Sequence, residues 1–132
     1  MTTPETNAEV GTTVVHRRYV PFSDAHYAGN LVDGAYSLKL FGDVATEMCI
    51  RTDGDEGLFA SYSDVQFLAP VRAGDVLEIT CTLTRVGTRS RTLGLSVQVV
   101  ARGEPTAERP GAAAMLAEPL LATTATGTVV VP

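Results

Sequence analysis

Apolar residues recur at three- and four-residue spacings in one long stretch: Ala35, Leu38, Phe41, Ala45 and Met48. That period predicts a helix from about Gly34 to Ile50 with those side chains on its buried face. No proline interrupts it, and its Leu, Ala, Met, Glu and Lys residues favour the helical state. Asp33 stands at the N-cap position, where a carboxylate accepts a hydrogen bond from one of the first orphan N–H groups. Tyr36, Lys39, Asp43 and Glu47 run along another side as a polar stripe.

On either side of this helix the period is two. Residues 13–20 alternate Val14, His16, Arg18 and Val20 against Val15, Arg17 and Tyr19, which predicts a first strand ended by Pro21. Residues 22–33 are a loop, where the Gly29-Asn30 pair permits close approach to the backbone. After a glycine-rich acidic turn at 52–57, the stretch 58–70 places Phe59, Ser61, Ser63, Val65 and Phe67 on one side. Leu77, Ile79, Cys81 and Leu83 alternate with Glu78 and three threonines, and Leu93, Leu95, Val97 and Val99 repeat the pattern. Residues 112–117 are expected to make one or two helical turns stopped by Pro119, and 120–131 a last strand. The reading is therefore a flexible segment at 1–12 and one domain over 13–132 with an irregular excursion at 101–118. One strand, a long helix and four strands give an α+β protein, a curved antiparallel sheet packed on one helix. A single helix leaves sheet edges uncovered, so dimerisation is expected.

Composition narrows the partners. Fifteen acidic against ten basic residues give a formal charge of −5, which argues against a broad nucleic-acid surface. The cysteines, Cys49 and Cys81, have no ligand cluster around them and read as buried thiols. His16 and His26 are the only histidines, so no metal site is expected. The nucleotide and zinc-protease motifs are missing. Nothing resembles a leader or a membrane span, and a cytoplasmic protein is expected.

The remaining polar residues gather about the helix start: Asp24, His26, Tyr27, Asn30, Asp33, Asp43 and Glu47. The N–H groups of Gly34 and Ala35 point out of the helix there, suited to an anion or a polarised carbonyl oxygen. In the bland alternative Asp33 is only a cap, Glu47 faces solvent and Asp43 bonds Lys39 or nearby backbone. Arg85, Arg89 and Arg91 near a hairpin suit phosphate, or form a solvated rim.

These stretches resemble a known family. Gly29-Asn30 and Gly34, FGDVA at 41–45, DVQFLAPVRAGDV at 64–76 and RVGTRS at 85–90 are similar to the hotdog fold of acyl-CoA thioesterases and dehydratases. DAHYAGNLVDGA, LFGDVATE, IRTDGDEGLFASY and FLAPVRAGD resemble most closely the hotdog CoA-thioester ammonia lyases, which act on 3-aminobutyryl-CoA and beta-alanyl-CoA. Related thioesterases often carry a histidine and two glycines at the helix start, where this chain has Val32-Asp33-Gly34. A carboxylate there is poorly suited to hydrolysis and well suited to a cationic β-amino group.

The resemblance implies an acyl-CoA substrate, a homodimer at least, extending to a hexamer, and active sites between subunits. No cofactor is implied, coenzyme A being part of the substrate. The expected reaction is reversible elimination of ammonia from a 3-aminoacyl-CoA. Glu47 or Asp43 would be the base and Asp33 the ammonium partner, with those two roles exchangeable. His26, Tyr27 and Asn30 would orient or relay, Gly34 and Ala35 would bind the carbonyl oxygen, and Arg85, Arg89 and Arg91 would hold the phosphates. The rival readings are acyl-CoA thioesterase, 3-hydroxyacyl thioester dehydratase or hydratase, and a silent acyl-CoA binder.

Overall fold

A computed structural model describes residues 8–132. The chain forms β1 (Thr13–Tyr19), α1 (Gly34–Asp53), β2 (Leu58–Phe67), β3 (Val76–Val86), β4 (Ser90–Gly103) and β5 (Ala113–Val130), with two short 3-10 turns between β1 and α1. The strands make one antiparallel sheet in the order β1-β3-β4-β5-β2, which curls around α1. This is the hotdog arrangement. Apolar side chains of β3 and β4, from Leu77 to Leu83 and from Leu93 to Val99, meet Phe41, Val44 and Met48 of the helix in one core.

The helix is three residues longer than its apolar pattern suggested. Gly54 closes it in the left-handed conformation (φ 65°), its N–H donating to the Ile50 carbonyl. The buried stripe is also rotated: Ser37, Leu40, Phe41, Val44, Ala45, Met48, Cys49 and Thr52 face the sheet, whereas Ala35 is exposed and Leu38 half-buried. A sheet that wraps the helix buries a wider stripe than a flat contact, and the small polar Ser37 fits within it.

Two further readings are corrected. In β2 the register slips between Phe59 and Ser61 and again between Ser63 and Gln66. These bulges break the period of two, so Phe59, Tyr62 and Val65, not Ser61 and Ser63, turn toward the core. Residues 113–118 are not helical turns but the start of β5, and 101–103 end β4, so the irregular excursion shrinks to 104–112. Pro119 does not stop the strand. It lies where the β4–β5 register jumps from Val99–Leu120 to Ala101–Met115, so its missing N–H removes no ladder bond.

Of the expected flexible segment, residues 1–7 lie outside the described residues. Residues 11 and 12 are bound to β3: the Gly11 N–H donates to the Leu83 carbonyl at 2.8 Å, and the Leu83 N–H to Thr12 at 2.9 Å.

Two buried ion pairs lock the ends of this frame. At the helix C-terminus Arg91 donates from Nε and Nη2 to Asp53 at 3.1 and 2.8 Å, and from Nη1 to the Gly87 and Ser90 carbonyls. At the other end Asp75, fully buried, accepts from Arg102 Nε and Nη2, both at 2.9 Å, and from the Arg72 N–H at 2.8 Å. Arg102 also donates to the Pro70 carbonyl. The β2–β3 connection is thereby held against β4, and it meets the loop before α1 through the Val32 N–H to Val71 carbonyl bond and the Ala73 N–H to Asn30 carbonyl bond.

Candidate active site

Those two connections and the first turn of α1 enclose a cleft of about 420 Å³. Val32, Asp33, Gly34 and Ser37 form one wall, Phe67 to Val71 the opposite one, and Tyr27 and Thr123 complete it. The lining is apolar except for a few groups, and these converge on the helix start. Helix N-terminal N–H groups have no partner within the helix and carry a partial positive charge. Phe67 packs directly on this turn: a methyl group on Gly34 would come within 2.6 Å of its ring. Glycine therefore leaves the first turn open to flat contact.

Asp33 occupies the N-cap backbone position, yet its side chain makes no capping hydrogen bond. The carboxylate is left available to the cleft. The expectation that the Asp33 side chain caps the helix is thus corrected, and the correction bears on function: a carboxylate that does no capping lines the same hollow as Gly34, the first residue of the helix.

The structure gathers some candidates and disperses others. Asp33, Gly34 and Tyr27 share the cleft. His26 packs edge-on against Tyr27, ring centroids 4.7 Å apart, but does not line the cleft. Asn30 is exposed with φ 60°, and its carbonyl accepts from Ala73, so it shapes the loop rather than the cavity. Ala35 is exposed and outside the lining.

The three carboxylates do not form one cluster within a subunit. Asp43 lies ten residues and Glu47 fourteen residues along the helix from Asp33, about 15 and 21 Å at 1.5 Å per residue. Asp43 lines a second hollow of about 250 Å³ with His16, Arg17, Arg18, Tyr36, Lys39, Leu40 and Ile79. Glu47 is engaged: His16 Nε2 lies 3.0 Å from one oxygen, and Arg51 Nε donates to the other at 2.7 Å. The hydrogen bonds from Arg51 and then His16 hold its carboxyl below the usual range. Beside Asp43 in the second hollow, Tyr36 accepts from Arg18 Nε at 3.0 Å while Arg18 Nη2 donates to Asp24 at 3.1 Å.

Arg91 is not a phosphate ligand. Its three donor nitrogens are all engaged by Asp53 and two carbonyls, and the pair is almost wholly buried. Arg85 and Arg89 are exposed at the β3–β4 hairpin, close to the helix C-terminus and far from the cleft of the same chain. Residue spacing put three arginines together, whereas strand alternation turned the third inward.

Ser37, Thr123 and the Phe67–Val71 wall did not figure in the sequence reading as site residues. A small hydroxyl one turn after Gly34, on an apolar face, was the signal for Ser37.

A family model described as Thioesterase superfamily matches residues 29–104. A 3-aminobutyryl-CoA ammonia lyase of Acetoanaerobium sticklandii is 48% identical over 109 residues, covering 83% of this chain and 86% of that protein. The structure of beta-alanyl-CoA:ammonia lyase from Clostridium propionicum superposes with a TM-score of 0.87 at 39% identity, over 93% of this chain and 87% of that one. A hexameric thioesterase from Yersinia pestis shares the fold, with a TM-score of 0.71 at 18% identity over 96% and 88% of the two chains.

Proposed function

The chain belongs to the thioesterase superfamily and, within its hotdog fold, to the CoA-thioester ammonia lyases, and from that premise we propose that it reversibly eliminates ammonia from a short 3-aminoacyl-CoA to give the 2-enoyl-CoA. One observation carries this reading beyond the family: Asp33 spends no capping bond on its own helix and faces the cleft beside the Gly34 N–H.

The substrate's thioester oxygen accepts from the free N–H groups of the first turn, and the helix dipole favours the charge that grows there when the α-proton leaves. Asp33 holds the β-ammonium. A base takes the α-proton, and the Cα–H electron pair moves into the carbonyl. The enolate then collapses, forming the Cα–Cβ double bond as the Cβ–N bond breaks. Nitrogen departs as neutral ammonia and receives the proton held by the base, leaving as ammonium. The thioester itself acidifies the α-carbon, so this scheme asks for no metal or organic cofactor.

For the base, Asp43 is favoured over Glu47, and its distance from Asp33 along one helix calls for a second copy of the chain to supply it. Glu47 is clamped by two basic side chains, which makes it a weak proton acceptor. Asp43 is exposed, on a helix stripe with Ala35, Lys39, Thr46 and Ile50 that the chain's own sheet leaves uncovered. The hollow that Asp43 lines is bordered by β1 and β3, while the other edge strand, β2, carries exposed Leu58 and Phe67. A two-fold pairing through β2 brings a second copy to the Phe67 side of the cleft. The active assembly is therefore a homodimer at least.

The test uses purified protein with crotonyl-CoA and ammonium, read by mass spectrometry with a thiol-release assay in parallel. Addition of ammonia without free coenzyme A is expected. Thiol release without amination would replace the lyase with a thioesterase.

A further inference from the structure

Three hydroxyl side chains of α1 bear on one question, namely where each spends its proton. Thr46 donates back to the Gly42 carbonyl at 2.9 Å, and the Thr52 hydroxyl is shared between the Met48 carbonyl at 2.9 Å and Asp53 Oδ2 at 2.8 Å. That back-bond is the usual retreat for a hydroxyl inside a helix. Among the described residues no such bond runs from Ser37. Its Oγ instead accepts a hydrogen bond from Thr123 Oγ1 of β5 at 3.3 Å, and both residues are 2% exposed. Ser37 therefore keeps its own proton to give, in a buried position on the cleft lining.

The direction of that proton follows from helix geometry. Ser37 lies one turn after Gly34 on the same face, and helical side chains lean toward the N-terminus. Its Oγ is thus carried over the first turn, where Gly34 lines the cleft. Val32, Phe67 and Val71 of the lining have no side-chain acceptor, and among the described residues no hydrogen bond joins Ser37 Oγ to the Asp33 carboxylate one turn earlier. A buried hydroxyl proton with no acceptor costs about 1–3 kcal/mol, so a ligand that brings an oxygen is favoured there.

We propose that Ser37 Oγ–H is a further hydrogen-bond donor to the thioester oxygen of the substrate, and that Thr123 positions it by donating to Ser37. This rests on the lyase reading for the identity of the reaction, but not for the hydrogen bond itself. As the α-proton passes to the base, charge accumulates on the thioester oxygen and the Ser37 bond strengthens. Ser37 keeps its proton throughout, and no covalent bond to it forms. Thr123 polarises the Ser37 hydroxyl through its own donated bond, so the two act as one chain.

The experiment pairs kinetics with vibrational spectroscopy. Ser37→Ala should lower kcat for 3-aminobutyryl-CoA about 10²-fold with little change in KM, the signature of a donor that acts mainly in the transition state. Thr123→Val should show a smaller loss and Thr123→Ser should restore it. Ser37→Ala/Thr123→Val should be no worse than Ser37→Ala alone. In the absence of ammonium, the carbonyl band of bound [1-13C]crotonyl-CoA should lie below its solution frequency in the wild type and move back toward it in Ser37→Ala.

An unmoved band in Ser37→Ala, an unshifted band in the wild type, or additive losses in the double variant would overturn the proposal. The band needs binding only, so the two readings fail separately. A wild type that does not aminate crotonyl-CoA but loses its band shift in Ser37→Ala keeps the donor and loses the lyase.

Discussion

Arg91 offers the sharpest test of the frame, because its loss changes the sign of a pH effect. Its side chain is 6% exposed and that of Asp53 7%. Arg91→Met leaves the Asp53 carboxylate buried without its counter-charge, and breaking such a pair from one side costs about 3–5 kcal/mol. For a domain of this size that corresponds to a melting temperature lower by roughly 10–20 °C. In the wild type, burial pushes the Asp53 carboxyl up, but the hydrogen bonds from Arg91 and Thr52 outweigh it and leave the group below its ordinary value. A depressed folded value stabilises the fold above the unfolded pKa of about 3.9, and that contribution is lost as pH falls through the folded value. Without Arg91 only Thr52 opposes burial, so the folded value lies above the unfolded one. The variant is then penalised at neutral pH and recovers as the pH falls. Urea unfolding at pH 7 and pH 5, at one protein concentration because assembly contributes, should show the deficit narrowing at pH 5. Arg91→Met/Asp53→Leu should regain much of the loss at pH 7. A deficit below about 1 kcal/mol, the range of an exposed pair, would refute the reasoning, as would one unchanged between the two pH values.

Other consequences separate catalytic from structural groups. Asp33→Asn should lower kcat for a 3-aminoacyl-CoA by about 10²–10⁴-fold. Its unfolding free energy should stay within about 0.5 kcal/mol of wild type, because no capping bond is lost. Arg85→Ala and Arg89→Ala should raise KM for CoA thioesters, less so at high salt, while N-acetylcysteamine thioesters that lack the phosphates are unaffected. Cys49 and Cys81 should react with Ellman's reagent at pH 8 only after denaturation, since both are buried and their thiols are pushed up to about 11 and about 12, chiefly by burial.

Much of this architecture was legible in the sequence where one physical influence dominated. In β3 and β4 one face meets the core along most of the strand, so alternation alone identified the inward residues. The helix and its junction with the loop carried the family resemblance and the altered carboxylate. Legibility failed where two influences compete. The β2 bulges shift which residues face inward without leaving a mark in composition, and Pro119 is harmless only because a register jump happens to receive it. The carboxylate cluster failed for a simpler reason: residues on one side of a helix can be far apart along its axis. Arg89 and Arg91 are two residues apart in sequence but opposite in fate, the first exposed in the turn between β3 and β4 and the second buried at the start of β4. Ser37 was obscured because the apolar stripe was assigned to Ala35 and Leu38, which put a buried hydroxyl outside the counted face.

The two bulges in β2 also bear on what the chain avoids becoming. A flat outer strand with a full row of free amides and carbonyls would accept any extended segment, including further copies in an open-ended stack. Here the row is interrupted twice within ten residues, and Asp64 adopts a left-handed backbone (φ 50°) inside the second break. Only a mate with matching interruptions presents its hydrogen-bonding groups in step, which in the proposed dimer is the role of a second copy related by a two-fold axis. The irregularity that hid the strand's true facing from the sequence thus acts as a filter against fibre growth, selecting closed pairing over endless addition.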